Sequence, residues 1–472
     1  MEAGTKRVKL IQLRKASGFT QEGLAEALHL DRTTIHRWES GRGLPLPYLW
    51  PKLAKLLGLT REDLLRVFGA DGVATVASSL GGATPTAVRV VPDAAHVLPE
   101  DVRASQDEWL RIRQARGRKI SVRAADLYPS SWRADRGPVL AGPGWLLGKP
   151  IALDKVRLAR SFDVGATPSL AGAHDHVLPL NGGGGRYAGY SRAVRDLVRP
   201  RLFENRLSYR LLDVNTKNGL TLTFGTTTFF EVFDVKEALA HEFRRAWLAA
   251  GGCLPDWEEL PLRRSIADPF DPRGLPMSPG ISTLTIRRDR WGEHRFLVHR
   301  RDGNAVADGG KLCSLVPSGE FQPSSVAEAD VGNDFSLWRN IMREFSEELL
   351  GNPEHDGGGV RSIDYAADEP FRSFEKARGE GRFRLWHYGL VMDPLTLGVS
   401  QRTVAVVDDE VFDTLFAGLV PTNDEGELVT VGGGVGVPFT GRAIERLGSR
   451  LSPTSLVLLR MAWRDRDLLL DD

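Results

Sequence analysis

The chain has 472 residues, a length that exceeds one typical hydrophobic core, so two or three domains are expected. Hydrophobic residues make up 42% of the chain, which is enough to build these cores. The formal net charge is only +1, which excludes a uniformly basic or acidic chain. Residues 1–70 nevertheless contain 12 Lys and Arg against 7 Asp and Glu. This basic end is the first place to look for contacts with phosphate groups.

The two cysteines, Cys253 and Cys313, lie far apart and lack the spacing of metal ligands, which argues against a disulfide framework and a zinc knuckle. Both are predicted to be buried thiols. No apolar segment has the length of a secretion signal or a membrane span, so the protein is expected in the cytoplasm.

The first seventy residues contain helices whose start and stop signals are in place. A first helix around residues 10–14 ends at Gly18, and Thr20 caps a second helix. Asp31 is the predicted N-cap of a third helix, "RTTIHRWES", which Gly41 ends. Two further amphipathic helices in "YLWPKLAKLLGLTREDLLRV" complete an all-α, five-helix domain. A tight helix pair of this size is a helix-turn-helix unit.

Residues 7–69 resemble the lambda-repressor-like (Cro-type) DNA-binding domain, with "TQEGLAEAL" matching the second helix and "RTTIHRWESG" the recognition helix. The resemblance implies a homodimer bound to double-stranded DNA. It implies three residues that face base edges, namely Arg32, Thr33 and Arg37. It also implies three residues that position the phosphate backbone, namely Gln21, Thr34 and Arg42.

Other residues of the same helices have structural roles. Ile35 and Trp38 are predicted on the buried side of the recognition helix, and His36 in solvent. Arg14 and Glu39 match the internal ion pair of the family. The alternative is a five-helix bundle that does not bind DNA, but the basic surplus and the recognition-helix residues favour DNA binding.

Small residues at 70–97 predict a linker, followed by a middle region at 98–272. Within the middle region, two strands and a helix are predicted after residue 200, which points to an extension of the C-terminal sheet rather than a separate fold. The histidines of "HDH" at 174–176 are interpreted as a loop rather than a metal site. A packed edge with solvated arginines is favoured over a phosphate site for Arg206, Tyr209 and Arg210.

The C-terminal region, residues 273–472, alternates strand-like segments with a helix that carries clustered glutamates. In "NIMREFSEELLG" the spacing places Glu344, Glu347 and Glu348 on one helical face, where like charges repel unless a cation lies between them. The alternative is an ordinary amphipathic helix with an acidic outer side. The apolar residues with helical spacing are Ile341, Phe345 and Leu349.

The segment "REFSEELLG" resembles the second half of the Nudix box, G-x5-E-x7-R-E-U-x-E-E-x-G-U, in which U is apolar. The resemblance implies that the three glutamates hold Mg²⁺ on a diphosphate and that Arg343 braces them. The first half departs from the box, because 22 residues instead of seven separate Glu320 from Arg343. The closing glycine also comes one residue late, at Gly351. A degenerate Nudix-like α/β (α+β) body is therefore predicted.

Three functions remain open for this body. The favoured one is a sensor that binds a nucleotide-like effector without turnover. The second is a magnesium-dependent Nudix-type pyrophosphatase, with Glu425 as a candidate additional acid. The third is an unrelated α/β domain with a solvated acidic face. We therefore predict a DNA-binding transcription regulator with a ligand-sensing body, and as the alternative a nucleoside-diphosphate hydrolase that carries a DNA-binding head.

Overall fold

A computed structural model of the chain describes residues 7–28, 32–40, 50–59, 63, 67, 98–115, 117–161, 174–200, 203–301, 312–353, 362–420, 422–423, 426–431 and 434–471, with the backbone alone at some helical positions. The chain divides into a small unit within residues 1–97 and a large unit formed by residues 98–354 and 363–472. The predicted combination of a helix-turn-helix head with a large α/β body that contains mixed sheets is confirmed.

The small unit is all-helical in its described part. Its helices are α1 (Val8–Ala16), α2 (Gln21–Leu28), α3 (Arg32–Glu39) and α4 (Trp50–Leu57). Gly18 has a φ of 79°, a backbone conformation that glycine adopts at low cost, and it follows the end of α1 as predicted. The predicted fifth helix lies mostly outside the described residues, of which Asp63 and Val67 are helical.

Helical spacing of apolar residues explains how the small unit packs. The spacing places one face of each helix against a shared core that includes Leu10, Leu24, Ile35, Trp38 and Leu53. Ile35 and Trp38 are therefore core residues, as predicted.

The large unit contains helices of very different length. They are α5 (Glu100–Gln114), α6 (Arg118–Ala124), α7 (Tyr190–Leu197), α8 (Phe229–Ala249), α9 (Pro261–Arg264), α10 (Glu328–Asn333), α11 (Leu337–Glu344), α12 (Phe371–Gly379), α13 (Asp409–Leu415), α14 (Gly441–Leu447), α15 (Pro453–Arg464) and α16 (Arg466–Leu470). The longest, α8, begins with a capping box in which Thr228 and Glu231 bond each other's backbone N–H groups. Among the described helices, none combines the length and the apolar composition that a membrane span requires.

The strands of the large unit are predominantly short. They are β1 (Leu146–Ala152), β2 (Arg157–Arg160), β3 (Leu207–Asn215), β4 (Thr221–Thr228), β5 (Gly280–Arg288), β6 (Arg295–Phe296), β7 (Val298–Arg301), β8 (Cys313–Leu315), β9 (Ser318–Gly319), β10 (Phe383–Met392), β11 (Val399–Asp408), β12 (Thr422–Asn423), β13 (Gly426–Leu428), β14 (Thr430–Val431), β15 (Gly434–Val435) and β16 (Val437–Pro438).

In the described part of the chain, seven strands form the main sheet in the order β1-β10-β11-β5-β6-β16, with β9 also paired to β5. Strands β5 and β11 are parallel, whereas β10 and β11 are antiparallel. Strands β10 and β11 are buried over most of their length because their apolar residues point to both faces, each of which is covered by a hydrophobic cluster.

The middle region joins the body differently from the prediction. Strands β3 and β4 pair with β2 in a sheet of their own, whereas β1 extends the main sheet through β10. Backbone bonds from Tyr209 and Leu211 to the carbonyl groups of Phe321 and Met277, at 3.0 and 2.9 Å, connect β3 to the C-terminal region. Two smaller sheets have the orders β12-β13-β7-β8 and β14-β15.

Two side-chain predictions were wrong. Arg210 is not solvated but is 1% exposed, and it donates to the carbonyl oxygen of Pro272 at 3.4 Å. Of the cysteines, Cys313 is buried, but Cys253 is exposed because it lies in the turn after α8.

Candidate functional site

A side-chain cap begins α2, and the apolar sides of α2 and α3 pack into the core of the small unit. Thr20 Oγ1 accepts a hydrogen bond from the backbone N–H of Gly23 at 2.9 Å, which confirms the predicted cap. Leu24 of α2 and Trp38 of α3 lie in the common core, while His36 is exposed. One side of α3 is thus fixed to the unit and the side that carries His36 faces solvent.

A buried ion pair connects three of the four described helices of this unit. The Arg14 Nε atom lies 2.6 Å from Glu39 Oε1, and both residues are at least 94% buried. The other carboxylate oxygen accepts from Gln21 Nε2 at 2.5 Å, and Arg14 Nη1 donates to the Phe19 carbonyl oxygen at 2.7 Å. The carboxylate of Glu39 therefore connects α1, α2 and α3, and the predicted ion pair is confirmed.

Two of the predicted DNA contacts, Gln21 and Arg37, have described side chains. Arg37 is half-buried in the last turn of α3, where its carbonyl oxygen accepts from Ser40 Oγ at 3.1 Å. The amide of Gln21 is engaged with Glu39, so its contact with phosphate remains a prediction. The backbone of α3 includes Arg32, Thr33 and Thr34, whose side chains lie outside the described residues, as does the whole of Arg42.

The acidic helix differs from the regular helix that the sequence predicts. Helix α11 ends at Glu344, and Phe345–Leu349 continues as a π-helix, which has more residues per turn than an α-helix. The spacing argument for one shared face assumed 3.6 residues per turn, so it does not apply beyond Glu344. The apolar residues Ile341, Phe345 and Leu349 are fully buried, as the amphipathic interpretation predicts.

Two of the three glutamates contact the short strand β9. The backbone N–H of Ser318 donates to Glu348 Oε1 at 2.6 Å, and His299 Nδ1 lies 3.8 Å from Glu348 Oε2. The carboxylate of Glu344 occupies the space beside Gly319, because a Cβ built on that glycine would lie only 2.0 Å from Glu344 Oε1. Glu347 is half-buried.

Arg343 forms an ion pair with Asp334, and Glu344 and Glu347 also attract its charge. Its Nη1 atom lies 3.1 Å from Asp334 Oδ2, and its Nη2 atom donates to Asn340 Oδ1 at 2.9 Å. Asp334 also accepts from the Tyr365 hydroxyl at 2.7 Å and from the Ser324 hydroxyl at 2.5 Å. Burial acts to lower the pKa of Arg343, but attraction to Tyr365 and Asp334 outweighs it, so the pKa is raised and the guanidinium stays charged.

The described residues do not form a ready metal centre. Among them, no group of three or more His, Cys, Asp or Glu side chains is placed to hold a metal ion, and Mg²⁺ binding by Glu344, Glu347 and Glu348 stays a prediction. Glu425, the candidate additional acid, lies outside the described residues. The histidines at 174–176 do not form such a group either, and His176 Nε2 lies 2.9 Å from Glu242 Oε1.

The sequence did not indicate two features of the large unit. The first is a buried cluster in which Glu237 lies 2.6 Å from Arg113 and 3.6 Å from Arg244. The second is a cavity of about 130 Å³ whose lining extends from Leu127 to Leu397. Both are assembled from distant segments, so no local pattern could have revealed them.

Comparison with known proteins concerns the small unit. Residues 8–68 match the family described as "Helix-turn-helix domain". A 57-residue segment is 44% identical to the HTH-type transcriptional activator BcrR of Enterococcus faecalis, covering 12% of this chain and 28% of that protein. The matched segment thus spans less than a third of that relative's length. The chain carries a helix-turn-helix domain at residues 8–68.

Proposed function

We propose that the chain is a sequence-specific transcription regulator that binds double-stranded DNA as a homodimer. The observation that carries this proposal is the match of residues 8–68 to a helix-turn-helix domain whose α2 and α3 are locked to α1 through Glu39. The similarity to a transcriptional activator supports a role in transcription. A rigid pair of this kind places its second helix in the major groove.

The chemistry of α3 suits this role. Arg32 and Arg37 each offer a guanidinium fork to guanine, and Thr33 offers a hydroxyl and a methyl group to thymine. Gln21, Thr34 and Arg42 position the phosphate backbone, which sets the register of the helix without reading sequence.

The test is recovery of bound duplexes from a random pool, followed by affinity measurements on the best duplex with the full chain. Arg37→Ala should relax the preference at one base pair, because it removes a base contact worth about 1–3 kcal/mol. Arg42→Ala should weaken binding to all sequences alike and reduce the salt dependence. Arg446→Ala removes an exposed arginine of the large unit and is the matched control for net charge. Unchanged binding in both variants would contradict the proposed orientation of α3.

We further propose that the large unit resembles a Nudix domain and binds a nucleotide-like effector without turnover. The contacts of Glu344 and Glu348 with β9, and the pairing of Arg343 with Asp334, weigh against hydrolysis, because no three carboxylates among the described residues form a metal-binding group. An effector alters DNA binding only if it prefers one arrangement of the dimer.

The competing function is a magnesium-dependent pyrophosphatase. Incubation of the full chain with Mg²⁺ and a panel of nucleoside-diphosphate compounds distinguishes the sensor from the hydrolase. We expect a compound to bind without formation of a hydrolysis product. Turnover that Glu347→Gln or Glu348→Gln abolishes, and that the exposed control Glu380→Gln leaves intact, would establish the hydrolase instead.

A further inference from the structure

Three aromatic rings line the cavity of the large unit, together with aliphatic residues and prolines. The rings of Tyr128 and Trp132 are stacked with centroids 6.0 Å apart, and Trp257 meets Tyr128 edge to face at 5.8 Å. Leu127 and Leu397 add aliphatic surface. Such walls favour a planar apolar group, because aromatic rings prefer offset or edge contacts with one another.

The size of the cavity limits what it can hold. Its volume of about 130 Å³ is close to the roughly 150 Å³ of an apolar protein cavity known to bind benzene. Pockets for larger ligands typically measure roughly 300–1,000 Å³. The volume matches that of a single six-membered ring.

The charge beneath the cavity is positive. Arg263 lines the cavity with only 1% of its surface exposed, and its guanidinium donates to neutral oxygens: the Tyr128 hydroxyl at 2.6 Å and the carbonyl groups of Pro394 and Leu239 at 2.8 and 3.2 Å. In the described part of the chain no carboxylate lies within ion-pairing distance of this guanidinium. Glu242 instead accepts from the backbone N–H of Arg263 at 3.0 Å.

The positive charge of Arg263 favours an anionic ligand over a cationic one. Aromatic rings alone would attract a cation, but a buried guanidinium beside them repels one. An anion, by contrast, would supply the negative charge that the surroundings of Arg263 lack.

Tyr128 offers the contact through which an anion can be recognised. Its hydroxyl oxygen accepts from Arg263 Nη1, so the hydroxyl hydrogen points elsewhere, and it makes no hydrogen bond to a described residue. A hydroxyl that accepts from a cation is polarised and becomes a better donor. The residue that forms a wall of the cavity therefore also carries an available donor.

We propose that this cavity binds a small monocyclic aromatic carboxylate, with its ring against Trp132 and Trp257 and its carboxylate accepting the Tyr128 O–H. The site lies wholly within the large unit, and the proposal does not depend on DNA binding or on a nucleotide-like effector. Ligand binding can be measured without DNA, so the two proposals fail separately.

The test uses the full chain and three probes of similar shape, benzoate, benzamide and benzylammonium, followed by ligand-observed NMR and calorimetry. Benzoate should bind at least about 10-fold more tightly than benzamide, because its hydrogen bond is charge-assisted. Benzylammonium should bind most weakly. Tightest binding of benzylammonium, or no binding of benzoate at millimolar concentration, would overturn the proposal.

Two variants locate the site. Tyr128→Phe keeps the ring and should reduce benzoate affinity by about 10- to 100-fold, narrowing the preference over benzamide. Trp257→Ala should weaken both ligands, while Trp291→Ala, at a residue that is 83% exposed and outside the cavity, should change neither. Thermal unfolding checks that each variant is folded. Benzoate affinity that survives in folded Tyr128→Phe and Trp257→Ala would place binding elsewhere and refute the assignment.

Discussion

Replacing Glu39 by alanine should nearly unfold the small unit. The change leaves the Arg14 guanidinium, 6% exposed, without its carboxylate and also removes the acceptor of Gln21. Removing one partner of a buried ion pair costs about 3–5 kcal/mol. At roughly 0.05–0.15 kcal/mol per residue, a domain the size of residues 8–68 has only about 3–9 kcal/mol of stability in total.

The matched control is the double variant Arg14→Met with Glu39→Met, which removes both charges and keeps the volume. It should retain stability within about 1–2 kcal/mol, because a buried pair is often replaceable by apolar side chains. Hydrogen exchange resolved by peptide measures the small unit separately from the large one. Protection in α1 to α3 should fall by a hundred-fold or more in Glu39→Ala and by far less in the double variant. Equal protection in Glu39→Ala and the unmodified chain would refute the claim that this carboxylate holds the helices.

Three further predictions concern the large unit. Asp334→Asn should lower its stability by about 3–5 kcal/mol, because the buried Arg343 would lose its ion-pair partner, and calorimetric unfolding will show whether the transition shifts. Burial lowers the pKa of His387 to about 4, so the unfolded chain binds the proton first, and this residue should contribute a stability loss of about 2 kcal/mol between pH 7.5 and 5; urea unfolding at both pH values should show a loss smaller by about that amount in His387→Gln, where His241, whose pKa burial also lowers, still contributes. Burial lowers the pKa of Arg402 to about 9, and its Nε and Nη1 atoms have no hydrogen-bond partner among the described residues. Arg402→Met should therefore stabilise the unit by about 1 kcal/mol or more, and a lower melting temperature of the variant would contradict this.

Local signals were sufficient for much of the small unit. Gly18 ends a helix because its φ is positive, and Thr20 caps the next because its hydroxyl reaches a free N–H group. The burial of Trp38 follows from helical spacing. The pairing of Arg14 with Glu39 came from the family resemblance rather than from spacing.

Several features of the large unit could not be predicted from local sequence patterns. A spacing rule that assumes 3.6 residues per turn cannot anticipate a π-helix. The prediction that the three glutamates share one helical face therefore does not hold beyond Glu344. The position of Glu348 depends on Ser318, a residue 30 positions earlier on another strand. The cavity brings Tyr128 and Leu397 together through the fold alone, and neither has a local signature.

The central claim is that α3 reads bases. The most direct measurement is the ratio of affinities of the full chain for its selected duplex and for random duplex at physiological salt. A ratio of about 10³ or more is expected for a sequence-specific regulator. Equal affinity for both duplexes would contradict the account.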